Sequence, residues 1–360
     1  MAPRKLRMSK RQAMAQQWRP LYELADRIKE LAPWEWMDED DIFGVQDPDT
    51  GEIGFVSVMG TLGEHMCIGV YLGVDALYQF FELEEIADST DSWEIASRLL
   101  TIPQLQASFE NHDMIDKEDA GIMRKLNLKY SGPNAYPLFR SFQPGCPPYF
   151  MNSDQINFLT HVLEQTLDVA PRYEEDESLL YPGDEEMFLV RVPVQQDGKI
   201  QWVDEIRAFP APEMHSIPMG IDERSFEQLQ NAPRVGNTVE VDLFMTPIPV
   251  EGKGNEPPFF PFSLLIADAD SGMILSQDIL SPLPSMDHMY GQVPQTVINL
   301  LLSNNILPYE IHTQSPMITA VLSVVFEKLE VPVVEQPFLP MIDEARTALL
   351  QIMGMGFDED

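Results

Sequence analysis

Two hydrophobic periods alternate along this chain, and the places where one gives way to the other mark its elements. From Gln12 to Met37 apolar residues recur at Trp18, Leu21, Tyr22, Leu24, Ile28 and Leu31, close to helical spacing, and Pro33 ends that helix. DIFGVQ and EIGFVSVMG then alternate as strands around a DPDTG turn, and HMCIGVYLG is a third strand closed by Gly73. VDALYQFFELEEIA returns to the helical period, with Val74, Leu77, Tyr78 and Phe81 on one face. LQASFENHDMI is a further strand, and DKEDAGIMRKLN a helix with Asp116 as its cap and acids in its first turn. Five prolines and two glycines between Tyr130 and Phe150 predict an ordered loop over the sheet. MNSDQINFLTHVLEQTLDVA is an amphipathic helix capped by Ser153, with Ile156, Leu159, Leu163 and Leu167 sharing a face. RYEEDES follows as a solvated charge run. MFLVRVPVQQDGKIQWVDEIRAF reads as a hairpin turning at Gln196-Asp197-Gly198-Lys199.

The second half, after the aperiodic PAPEMHSIP, reads strand (TVEVDLFMTPI), strand (PFSLLIADA), strand (MILSQDIL), helix (293–304), strand (YEIHTQ), helix (317–329), strand (PVVEQ) and helix (343–353). Each β-α-β step needs a parallel, right-handed crossover, so this sheet is mixed. The expected organisation is a basic disordered tail (1–12), an N-terminal α+β domain (13–209), a proline-rich linker (210–219) and a C-terminal α/β domain (220–357). Each domain is expected to hold a mixed sheet with an antiparallel hairpin and packed helices. The order of three strands, then helix, strand, helix, strand, helix, is similar to the ribonuclease-H-like fold over about residues 235 to 355.

Charge changes the picture. The 360 residues carry a formal charge of −35. Up to Lys29 there are eight Lys and Arg against Glu23 and Asp26, a net +6, so the remainder holds 15 against 56, a net −41. So acidic a body repels nucleic-acid backbones, because phosphate neutralisation by Lys and Arg supplies most non-specific affinity for them. Direct nucleic-acid binding is therefore not expected. Two uses of the acidity stay open, plain solubility and a surface that takes a basic partner. No uncharged run reaches the ~18 apolar residues of a membrane span, and no apolar leader follows the tail. Cys67 and Cys146, the only cysteines, give neither a CxxC pair nor a disulfide framework, so a cytoplasmic location is expected.

Candidate chemistry is sparse. A ribonuclease-H-like nuclease needs three or four carboxylates converging so that two metal ions sit ~3.5–4 Å apart. Asp242 on the first strand, and Asp343 with Glu344 at the last helix, match in kind. The helix offers only Gln292, Gln295 and Asn299, and the fourth strand ends His312-Thr313-Gln314-Ser315. Amides do not replace the charge that holds two Mg²⁺ ions. No G-x-S-x-G, no G-x-G-x-x-G after a strand and no G-x-x-x-x-G-K-[ST] occurs, so no cofactor is expected. Glu64 beside His65 is an acid/base candidate, although such a pair is more often a structural turn with a half-buried imidazole. Trp34 and Trp36 can form an aromatic surface for a ligand or partner, or plug a helix-sheet core.

PWEWM, then DIFGVQDPDTGEIGFVSVMGTLGEH and VYLG, resembles the N-terminal domain of an uncharacterised bacterial two-domain family whose second domain residues 220–355 are similar to. The resemblance implies a soluble bacterial protein with no assigned catalytic residue. The leading expectation is a non-catalytic binding or adaptor protein with a protein partner. The alternatives are an atypical metal-dependent phosphodiester hydrolase around Asp242, Asp268, Asp343 and Glu344, and an acidic mimic that occupies a basic nucleic-acid-binding protein.

The skeleton Asp-x-Asp-[Ser/Thr]-Gly-x-Ile occurs twice, at Asp47/Asp49 and at Asp268/Asp270. A calcium loop of the EF-hand kind needs an oxygen ligand at position 5 and Glu at position 12. Those positions hold Gly51 and Val58 in one loop and Gly272 and Ile279 in the other. Both loops are expected to be hairpin turns rather than metal sites, with Asp binding the backbone and Gly supplying positive φ.

Overall fold

A computed structural model describes residues 15–61, 63, 65–86, 92–183, 187–212, 216–234, 237–252 and 256–352. The basic tail 1–12 and Glu64 lie outside the described residues, as do residues 213–215 of the expected linker. The chain divides into two compact units, one of Met1–Gln143 with Pro148–Glu213 and one of Pro144–Pro147 with Met214–Asp360.

The first unit holds strands β1 (Phe43–Gln46), β2 (Ile53–Met59), β3 (Cys67–Leu72), β4 (Gln104–Glu110), β5 (Tyr136–Phe142), β6 (Met187–Gln196) and β7 (Lys199–Ala208). Its helices are α1 (Ala15–Leu31), α2 (Val74–Ile86), α3 (Ser92–Leu99), α4 (Lys117–Leu126) and α5 (Ser153–Glu175). The strands form one sheet in the order β5-β4-β3-β2-β1-β6-β7, antiparallel throughout except for the parallel pair β1/β6. The mixed, hairpin-bearing sheet of the sequence reading is thus present. One core joins α1 and α5 to the sheet through Leu21, Ile28, Val45, Val56, Leu159 and Leu163. On the opposite face Leu77 and Phe80 of α2 pack on Phe55, Tyr71 and Phe188.

Four local expectations need correction. The proline-rich stretch is not all loop, because Tyr136–Phe142 is the edge strand β5; an edge tolerates Pro137, since its missing N–H need not face a neighbour. RYEEDES is solvated from Glu174 on, but its first four residues continue α5 to Glu175 and bury Tyr173, and the cap of α5 is Asn152 rather than Ser153. In α2 the buried face is Ala76, Leu77, Phe80 and Leu83, while Tyr78 is half-buried. The short helix α3 follows α2 where no element was expected.

The second unit holds α6 (Glu223–Gln230), β8 (Thr238–Met245), β9 (Phe262–Asp268), β10 (Ile274–Leu280), α7 (Met286–Ser303), β11 (Glu310–Thr313), α8 (Pro316–Phe326), β12 (Val333–Glu335) and α9 (Pro340–Ile352). Its sheet order is β10-β9-β8-β11-β12, antiparallel from β10 to β8 and parallel from β8 to β12. Here too α6 went unforeseen, and α7 and α9 begin several residues before the expected starts. Side chains alternate across β8. Phe244 shares a face with its neighbours Leu265 and Ala267 of β9, and all three pack on Leu339 and Ile342 at the head of α9. Val239, Val241, Leu264 and Ile266 are buried on the other face, where α7 and α8 pack together.

Candidate functional site

Of the carboxylates singled out by sequence, Asp242 lies in the middle of β8 and Asp343 and Glu344 at the head of α9; Glu240, which the sequence reading did not name, precedes Asp242 on β8. Register puts Glu240 opposite Ala267 on one side and His312 on the other, and Asp242 opposite Leu265, so both acids share the α9 face. Both are buried in an otherwise apolar sheet. Such burial is tolerated only with partners.

Glu240 has two. The Met341 and Ile342 N–H groups each donate to its Oε2 at 3.0 Å. These are among the N–H groups a helix leaves unpaired in its first turn, where the dipole also favours an anion. Helix α9 starts with Pro340 after Leu339, so the cap a Ser or Asp would give locally comes instead from β8, a hundred residues upstream. Asp343 completes the arrangement. Its Oδ2 accepts from the Leu339 N–H at 3.1 Å and its Oδ1 pairs with Arg346 at 3.0 Å. Glu344 is exposed to solvent.

The remaining positions of the hypothetical metal set are similarly engaged. The Gln292 amide donates to the His288 carbonyl at 3.2 Å. Gln295 accepts from the Asp222 N–H at 2.7 Å and donates to Asn299 at 2.8 Å. His312 lies 3.5 Å from Glu310, the hydroxyls of Thr313 and Thr319 are 2.6 Å apart, and Gln314 donates to the Pro337 carbonyl at 3.1 Å. Asp268 pairs with Val239, so it faces away from Glu240 and Asp242, and the acid set of the hydrolase alternative is split between the two faces of the sheet. Among the described residues no three His, Cys, Asp or Glu side chains gather as metal ligands. Asp242 and Asp287 add to burial in pushing the Tyr290 hydroxyl up to about 12.

The two Asp-x-Asp loops share one hydrogen-bond skeleton. Gly51 N–H donates to the Asp47 carbonyl at 2.8 Å and Gly272 N–H to the Asp268 carbonyl at 2.9 Å. Asp47 N–H returns to the Glu52 carbonyl at 2.8 Å and Asp268 N–H to that of Met273 at 2.9 Å. In each loop the first carboxylate accepts from a hydroxyl three residues on, Thr50 at 2.9 Å or Ser271 at 2.7 Å. The second aspartates play a different part. Asp49 donates its backbone N–H to Asp47 Oδ1 at 3.0 Å, while its side chain is exposed to solvent. Asp270 is likewise exposed, and its backbone N–H bonds the Asp268 carboxylate. Asp47 and Asp268 therefore close the turns with their carboxylates, whereas Asp49 and Asp270 serve through the main chain. Gly51 and Gly272 have φ of +79° and +70°, the left-handed region that glycine enters without strain. The Ser271 hydroxyl and N–H, with Asn237, hold the Asp268 carboxyl below its ordinary value. The second loop also walls a cavity of about 360 Å³, lined further by Val239, Leu275, Ile306 and Pro308.

His65 is half-exposed and its Nδ1 lies 3.6 Å from Glu110. Trp34 is buried, its ring 5.4 Å from that of Phe109, and Trp36 donates its indole N–H to the Ala170 carbonyl at 3.0 Å. Both tryptophans are thus packing groups, and Trp34 presents no open platform. Burial, reinforced by Glu110, holds the Cys67 thiol far above its ordinary value, and burial pushes that of Cys146 up to about 11. Neither is a thiolate near neutral pH.

Two polar clusters escaped the sequence reading. Buried Arg191 binds Gln165 at 2.9 Å, Asp168 at 3.0 Å and Asp204, and Arg172 binds the same two aspartates, so the β6–β7 hairpin is tied to α5. Buried Asp41 accepts from the hydroxyls of Tyr173 at 2.8 Å and Tyr181 at 2.6 Å. Long sequence separation hides both, for no local motif joins residues that meet only across a sheet.

Residues 18–191 match the model of a domain of unknown function, DUF7309, and residues 225–350 match that of a second, DUF6930. No curated protein matches the chain. The chain is a two-domain α+β protein, and each domain matches the model of a domain of unknown function. Among the described residues no helix is long and apolar enough to cross a membrane.

Proposed function

We propose that this two-domain chain is a non-catalytic binding protein, an adaptor whose ligand is another protein. One observation carries the proposal. Two of the four carboxylates of the hydrolase alternative are occupied in holding the C-terminal domain together, Asp343 at the head of α9 and Asp268 in the β9–β10 turn; Glu344 is exposed, and Glu240, on the face of Asp242, caps α9. A carboxylate that caps a helix loses two charge-assisted hydrogen bonds when it turns to a metal. The charge of −35 supports a protein ligand over a nucleic acid. Two buried cysteines left unpaired support a cytoplasmic place of work.

The C-terminal sheet, three antiparallel strands followed by two parallel ones, supports a ribonuclease-H-like reading of that domain without its chemistry. An atypical metal-dependent hydrolase is the second reading, favoured by one fact: Asp242 is buried on the first strand, on the face that α9 covers. Affinity purification of the tagged full chain is the test of the adaptor. The same protein partner is expected across replicates, from nuclease-treated lysate and with Asp242→Asn alike. No reproducible partner, or one lost on nuclease treatment, contradicts it.

A further inference from the structure

Helix α8 lies on the surface, yet Pro316–Phe326 contains not one charged residue. A surface helix ordinarily carries an apolar stripe inward and polar residues outward; a helix apolar all round is ordinarily buried. The inward stripe of α8 is Ile318, Val321, Leu322, Val325 and Phe326, all buried. Its outward stripe is Met317, Ala320 and Val324, at i, i+3 and i+7, with Met317 40% and Val324 51% exposed. That stripe is about 10 Å long, from seven residues of helical rise. Phe338, 62% exposed, extends it. The Gln336 N–H donates to the Thr313 carbonyl at 2.8 Å and Gln314 to the Pro337 carbonyl at 3.1 Å, which hold the Phe338 turn beside the start of α8.

The surroundings say what chemistry can cover this face. From Glu310 to Glu344 the chain holds six acids and one base, Lys328. Residues 214–360 hold 20 Asp and Glu against five Lys and Arg, a net −15. A second copy brings the same negative charge to the contact, and an anionic membrane or a nucleic acid is repelled likewise. Apolar groups flanked by cations fit on both counts.

We propose that the outer face of α8, with Phe338, is the docking surface for a basic amphipathic helix of a partner protein, which lays its apolar i, i+3, i+4, i+7 side chains along Met317, Ala320 and Val324. Its Lys and Arg residues reach the exposed acids that flank the stripe in sequence, Glu327 directly after α8 and Glu335 ahead of Phe338, and steer the encounter. The inference deepens the adaptor proposal and rests on it, by naming the surface and the partner class.

The test titrates the full chain, with methyl-labelled Met and Val, with a 16-residue designed helical peptide bearing Leu at i, i+3, i+4 and i+7 and Lys elsewhere. A scrambled peptide of the same composition and a Glu-for-Lys peptide serve as controls. Saturable shifts centred on the Met317 and Val324 methyls are expected with the first peptide alone. Val324→Asp, at an exposed position, is expected to leave hydrogen exchange in α7 and β8–β12 unchanged and to weaken binding about tenfold, as loss of a central anchor does. Equal binding by the scrambled peptide, shifts elsewhere on the chain, or no shift at all overturns the α8 assignment. So does a concentration-dependent dimer that Val324→Asp dissolves, which would make a second copy the occupant. Metal-dependent hydrolysis lost in Asp242→Asn sinks the adaptor proposal instead, whatever the methyl groups do.

Discussion

Replacing Glu240 by Gln asks directly whether this carboxylate holds α9. The change keeps the shape and removes the charge from a side chain 3% exposed that accepts two N–H donors at 3.0 Å. Hydrogen bonds to a charged partner contribute about 1.5–3 kcal/mol each and neutral ones about 0.5–1.5. The helix dipole adds about 0.3–1 kcal/mol for an anion at this end. Glu240→Gln should therefore destabilise the head of α9 by about 2 kcal/mol. Glu240→Ala, which leaves both donors unpaired and opens a void, should cost about 3–4 kcal/mol. A two-domain chain need not unfold in one step, so the assay is hydrogen exchange in a peptide spanning α9 rather than a single melting curve. At 1.4 kcal/mol per decade, Glu240→Gln should reduce protection there about 30-fold while leaving β1–β5 unchanged. Unchanged protection in α9 would refute the role assigned to this carboxylate.

Other consequences follow from the same geometry. Arg191→Met should loosen the β6–β7 hairpin by about 1–3 kcal/mol, less than a fully buried pair because Asp168 and Asp204 are half-exposed, and hydrogen exchange in β7 reads the loss. Although burial alone would raise it, Arg172 and Arg191 hold the Asp204 carboxyl below its ordinary value; this support is full above the ordinary Asp range and fades as pH falls through the depressed value, which an acid titration of hairpin exchange checks. Gly51→Ala should cost about 1–2 kcal/mol for its φ of +79° alone, whereas Gly272→Ala should cost more because its Cβ would also sit 2.9 Å from Met341 Sδ; urea titrations of the two variants compare them.

Much of the fold was legible because its signals are local. Asp197-Gly198 fixed the β6–β7 turn to the residue, with φ of +53° and +75°, and the paired Asp-x-Asp loops marked a hairpin in each domain. What stayed hidden depends on distance or context. Pro137 argued against a strand until its place at a sheet edge was visible, and α3 and α6 are eight residues each, too short for a period to stand out. The head of α9 lacks a local cap, and nothing near Pro340 points to Glu240. Asp242 and Asp343 looked like half a metal set because sequence gives residue type and order, not hydrogen-bond partners. Asp343 proved to be part of a helix start.

The central claim is that Glu240, Asp268 and Asp343 hold the fold of the C-terminal domain and that no metal pair is bound beside Asp242. It is tested most directly by calorimetric titration of the full chain with Mn²⁺ and Mg²⁺, run beside hydrolysis of bis(p-nitrophenyl) phosphate, for the wild type and Asp242→Asn. No saturable site that Asp242→Asn removes, and no turnover above buffer, is the expected result. A saturable Mn²⁺ isotherm and Mn²⁺-dependent turnover, both lost in Asp242→Asn, would contradict it.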